Sequence, residues 1–105
     1  MGADDEFSLN YSQDDSSTLD EIVTFDSLIN DINSLYGLGE INFPNRVLLL
    51  AQAKIAKKLA SNNLTKKASV KILKAMQKTI VKQKGKGVSE TAYQILNEDI
   101  EALLL

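Results

Sequence analysis

Apolar residues recur at three- and four-residue steps along four stretches of this chain, the spacing of amphipathic helices. In the first stretch Ile22, Phe25, Leu28, Ile29, Ile32 and Leu35 form the stripe. Thr18, with Glu21 three residues on, has the form of a capping box. The spacing therefore predicts a helix from Thr18 to Gly37, where glycine can adopt the left-handed C′ conformation that ends a helix. Leu38 to Phe43 reads as a linker. Pro44 suits the first turn of a second helix, where its missing N–H costs nothing. That helix is expected to run to about Ala60, with Leu48, Ala51, Ile55 and Leu59 on one face and Arg46, Lys54, Lys57 and Lys58 mostly on another. Leu50 falls among the basic side chains. The helix is thus either buried on more than one side or offers an apolar contact to a partner.

Ser61-Asn62-Asn63 reads as a turn. A third helix follows from about Leu64 to Gln83, with Ile72, Leu73, Met76 and Ile80 on one side. Lys67, Lys71, Lys74, Lys78 and Lys82 fall on the opposite side, within about 80° of one another. Gly85 and Gly87 end it. Lys84 and Lys86 stand near its C-terminus, where cations favour the dipole. Ser89 is the expected N-cap of a fourth helix, with Val88 and Tyr93 placed as a hydrophobic staple. Its stripe is Tyr93, Leu96, Ile100 and Leu103.

No segment alternates as a strand does, and no repeat recurs at fixed period. Residues 1–17 are rich in Asp, Ser, Asn and Gln, with Phe7, Leu9 and Tyr11 as their large apolar side chains. Such a segment buries too little surface to offset its ordering entropy and is expected to be a disordered acidic tail. The predicted fold class is all-α: a small bundle of about four short amphipathic helices over residues 18–105, behind that tail.

Composition narrows the chemistry. The chain has 105 residues and contains no Cys, His or Trp. One domain is the ceiling at this length. Without Cys there is no disulfide, thiolate metal site or thiol redox chemistry. Without His, the commonest general base and metal ligand are both missing. The carboxylate pairs Asp4–Asp5, Asp14–Asp15 and Glu98–Asp99 are not held across a cleft by anything legible in the sequence. Gly85-Lys86-Gly87 follows a helix instead of joining a strand to one, unlike a phosphate-binding loop. No enzyme activity, cofactor or metal is expected. Met1 to Asn10 lack a signal-peptide pattern, and no apolar run suits a membrane span. A cytoplasmic location without membrane insertion is the expectation.

The net charge of −2 conceals a strong segregation. Residues 1–40 hold ten acids and no base, residues 46–86 hold all twelve bases and no acid, and residues 87–105 hold the last four acids. The lysine face of the third helix admits three readings: contact with an anionic molecule, neutralisation by the chain's own acids, or a solvated surface. An anionic partner is favoured, because solvated helix faces commonly mix signs in i,i+4 pairs. Eleven of the twelve bases are Lys, and no aromatic lies between positions 46 and 86. Nucleic acid, if bound, is therefore contacted at its phosphates with weak sequence specificity.

The stretch IAKKLASNNLTKKASVKILKAM resembles a helix-turn-helix, although two adjacent bundle helices produce the same pattern. The segment LTKKASVKILKAMQKTIVKQKGKG resembles the second helix of HU-type DNA-bending proteins. The following VSETAYQILNEDIEALLL reads as helix where that family has a β-sheet, so the family's fold is not implied.

The acidic tail is read as a solubiliser, as a segment that folds over the lysines, or as a docking peptide. The expected function is non-enzymatic binding: an accessory or regulatory protein whose residues 46–86 contact an anionic partner, nucleic acid first. The candidate contacts are Lys67, Lys71, Lys74, Lys78 and Lys82 with Arg46, Lys54, Lys57 and Lys58. The acidic ends would then contact protein or modulate that binding. The alternative is a pure protein-interaction module, such as an adaptor, inhibitor or immunity-type helical bundle, with no affinity for nucleic acid. Small four-helix bacteriocin-immunity proteins have a similar size and layout.

Overall fold

A computed structural model describes residues 22–105. They form four helices: α1 (Phe25–Gly37), α2 (Phe43–Ala60), α3 (Lys66–Gln83) and α4 (Glu90–Leu104). Consecutive helices pack on one another, and α4 closes the ring against α1. The all-α bundle anticipated from periodicity is the observed fold. The acidic segment 1–17, and Thr18 with Glu21, lie outside the described residues.

Residues 22–24 are not helical, so α1 does not run unbroken from Thr18. Thr24 is the N-cap: its Oγ1 accepts from the Ser27 amide at 3.0 Å, and the Ser27 hydroxyl accepts from the Thr24 amide at 2.8 Å. A Ser in place of the usual Glu or Gln hides this capping box from a pattern search. Ile22 lies outside the helix and is 86% exposed. At the other end Gly37 stays helical and Gly39 takes the positive φ of 79°. The Glu40 amide donates to the Leu35 carbonyl and the Gly39 amide to that of Tyr36, the Schellman pattern with Gly39 at C′.

In α2 the core stripe differs from the expected one. Leu49, Ala53 and Ala56 are fully buried with Asn45 beside them, whereas Leu48 and Ile55 are 45% and 50% exposed. The reason is close packing. α2 lies against both α1 and α3, and Ala53 and Ala56 let the neighbouring backbones approach where larger side chains would hold them apart. Asn42 caps this helix by accepting from the Asn45 amide, and Pro44 sits in the first turn as anticipated.

α3 begins at Lys66, two residues later than periodicity implies, and Leu64 is left exposed. Asn62 Oδ1 takes the Leu64 amide in an Asx turn, and the Thr65 hydroxyl reaches back to the Leu59 carbonyl at 2.6 Å. Those bonds extend the turn at the expense of the helix. The remaining stripes match expectation: Leu73, Met76 and Ile80 are buried in α3, and Leu96 and Ile100 in α4. Ser89 caps α4 by accepting from the Ala92 amide at 3.0 Å.

The two linkers meet at one end of the bundle. The Asn42 amide donates to the Gly87 carbonyl and the Ser89 amide to that of Glu40, bracketing a bridge between the buried Ile41 and Val88. Gly87 has φ 119°, a conformation that L side chains rarely adopt, and the Asn42 and Asn45 side chains crowd the place a Cβ would take. Only glycine satisfies both constraints.

Candidate interaction surface

The ring separates charge by element. α1 and α4 carry six acids (Asp26, Asp31, Glu90, Glu98, Asp99 and Glu101) and no base. α2 and α3 carry ten bases and no acid. The bundle thus has an acidic half facing a basic half.

Each candidate residue can now be placed. Lys67, Lys71, Lys74, Lys78 and Lys82 are exposed on α3, and Lys54 and Lys58 on α2. Lys57 is exposed as well but pairs with α1, its Nζ 2.6 Å from Asp26 Oδ1. Arg46 pairs with α1 too: its Nε donates to Asn33 Oδ1 at 3.0 Å and its guanidinium lies 4.7 Å from the Tyr36 ring centroid. The fold therefore gathers seven of the nine candidates into an outward field and turns Arg46 and Lys57 toward α1. Lys74, Gln77, Lys78, Val81 and Lys82 line a shallow depression of about 450 Å³ on the lysine face.

Apolar side chains share this half. Ser69 Oγ donates to the Ala56 carbonyl at 2.8 Å, and Gln52 faces Thr79, so these positions mark the α2–α3 seam. Asp26 and Asn33 mark the α1 side of α2 through Lys57 and Arg46. At about 100° per residue the remaining sector of α2 carries Val47, Leu48, Ala51 and Ile55, with Lys54 and Lys58 on either side of Val47. All four apolar side chains are exposed. The matching sector of α3 carries Ala68, Ile72 and Ala75. Leu48, Ala51 and Ile55, expected to be core on α2, thus form an outward aliphatic strip, whereas Leu50 packs on the core. A second exposed apolar cluster stands at the α1–α2 corner, where the Tyr36 and Phe43 rings meet edge-on at 6.3 Å beside Leu38.

In the acidic half, the partly buried Asp99 carboxyl lies beside Asp31 across the α1–α4 seam, and its Oδ2 is buried without a hydrogen-bond donor. Burial, the hydrogen bond that a protonated Asp99 can give to Asp31, and the negative charges of Asp31 and Glu98 push its carboxyl up to about 8. One proton held between two carboxyls relieves the like-charge contact. This pair escaped sequence reasoning, because only the ring closure brings positions 31 and 99 together. The buried Ser69 and Asn45 escaped as well. Their sole sequence signal is a polar residue in the register of an apolar stripe.

Among the described residues no three acidic side chains converge as a metal site would require, and no helix is long and apolar enough to cross a membrane. The chain belongs to the FIMAH domain family, whose model matches residues 25–105, from the first residue of α1 to the end of the chain. No curated protein and no solved structure matches the chain.

Proposed function

We propose that this domain is a non-catalytic protein-interaction module that engages its partner through the basic half of the bundle. The observation that carries this reading is the exposure of Val47, Leu48, Ala51 and Ile55 within a field of lysines. An aliphatic surface of this kind is left open at a cost in solvation and marks contact sites in small domains. The chain's single arginine, the side chain best suited to bidentate contact with a guanine edge, is turned toward α1 by Asn33 and Tyr36 and stands apart from the lysine face. Family membership supports the same reading.

Site-specific photo-crosslinking tests it. A photoreactive residue at position 55 is expected to trap polypeptide, and one at position 101, on the acidic half, is not. Trapping of nucleic acid alone at position 55 would overturn the reading in favour of phosphate contact by the same lysines. That second reading predicts affinity for duplex DNA at low salt that falls steeply as salt rises.

A further inference from the structure

We propose that the outer face of the α2–α3 hairpin is a docking groove for an acidic amphipathic helix of a partner protein. The inference rests on the interaction reading above and names its surface and its partner. Its lining is the exposed Leu48, Ala51 and Ile55 from α2 and, from α3, the exposed Ala75 with the half-buried Ala68 and Ile72, the latter resting on the core. Ser69 and Gln52 hold the two helices side by side. Alanines at three of the six positions keep the groove shallow and smooth, which suits a helix lying along it. From Leu48 to Leu59 the groove extends about 16 Å, or about three helical turns. An apolar stripe repeating at i, i+3, i+4 and i+7 on the incoming helix fits that length.

Charge selects the partner's flanks. Lys54 and Lys58 lie beyond the strip on α2, and Lys71, Lys78 and Lys82 beyond it on α3, all exposed. The groove is therefore bordered by cations on both sides, and neither helix has an acid to reward a basic partner. An acidic helix gains attraction along both edges while its stripe buries the aliphatic floor. A nucleic-acid backbone would meet the lysines and leave that floor in water, which is why a protein helix is the better occupant.

The test uses the full-length chain and two synthetic peptides of about 15 residues. One carries Leu and Ile at i, i+3, i+4 and i+7 with Glu on both flanks. The other has the same residues rearranged so that the stripe is lost. Calorimetry is expected to find the striped peptide at least about tenfold tighter, with amide shifts concentrated on Leu48, Ile55 and Ile72. Ile55→Glu should weaken it by about tenfold or more, and Lys71→Glu with Lys82→Glu should weaken it and flatten its salt dependence. These side chains lie on the outer face, so circular dichroism should show an unchanged fold.

Equal binding of both peptides would overturn the groove in favour of plain charge attraction. Binding that emerges only after residues 1–21 are removed would overturn it too, assigning the strip to the chain's own acidic segment. If the striped peptide fails to bind but a photoreactive group at position 36 or 43 still traps protein, the groove falls and the interaction reading stands. If no surface position traps protein, that reading falls as well.

Discussion

The α1–α4 seam and the α2–α3 hairpin solve the same problem with opposite outcomes. Each brings together two helices of like charge. In the acidic seam the conflict is taken inside: Asp99 holds a proton against Asp31, and the contact closes. In the basic hairpin the lysines are splayed outward, and the helices meet through Ser69, Gln52 and Asn45 with no charge between them. Ammonium groups on long stems can move apart at small cost. A short aspartate near a seam cannot, and it titrates instead. The difference teaches that an acidic half can be spent on closing the fold while a basic half remains available to a partner.

The contrast between buried and outward residues is sharpest within α2. Leu49→Ala should cost about 2–5 kcal/mol in chemical denaturation, because it opens a cavity in the core shared by both halves. Ile55→Ala, six residues on and half exposed, should stay within about 0.5 kcal/mol. Comparable losses would mean that the strip is not an outer surface.

The acidic seam should reveal itself by pH. Because Asp99 titrates near 8 in the folded chain and near 3.8 when free, the folded state binds the extra proton between those values. Stability is therefore complete at the acid end of that window and falls as pH rises through about 8. Thermal melts should show a lower midpoint at pH 8 than at pH 5. Asp99→Asn should flatten this slope and raise the midpoint at pH 8. An unchanged slope in the variant would remove the seam from the comparison.

Smaller effects separate the polar ties of the hairpin from the ion pair between the halves. Ser69→Ala deletes a buried hydrogen bond to the Ala56 carbonyl and should cost about 1 kcal/mol in urea titrations. Lys57→Ala removes the exposed pair with Asp26 and should cost less than about 1 kcal/mol, an effect that shrinks in high salt. If the Lys57 variant were the more damaged, charge and not packing would join the two halves.

Much of this architecture was legible in the chain. Leu73, Met76 and Ile80, and Leu96 with Ile100, repeat with a period that admits one helical face, and that face is buried. Ser89 and Pro44 mark their helix starts by chemistry any sequence displays. α2 was not legible in the same way. It is apolar on two faces, and periodicity nominates both Leu48–Ile55 and Leu49–Ala56. The candidate lysines were visible as a cluster on α3, but the commitments of Arg46 to Tyr36 and of Lys57 to Asp26 depend on where α1 lies.

The sequence by itself determined four helices, the Ser89 cap, the Pro44 start and the segregation of charge, because these follow from local spacing and backbone chemistry. Only the tertiary structure decided which face of α2 is core, since two candidate stripes compete and the small side chains of Ala53 and Ala56 win by permitting close approach. Ring closure likewise placed Asp31 against Asp99 and left the lysine-bordered strip outside, because contacts between residues far apart in the chain are set by packing and not by local pattern.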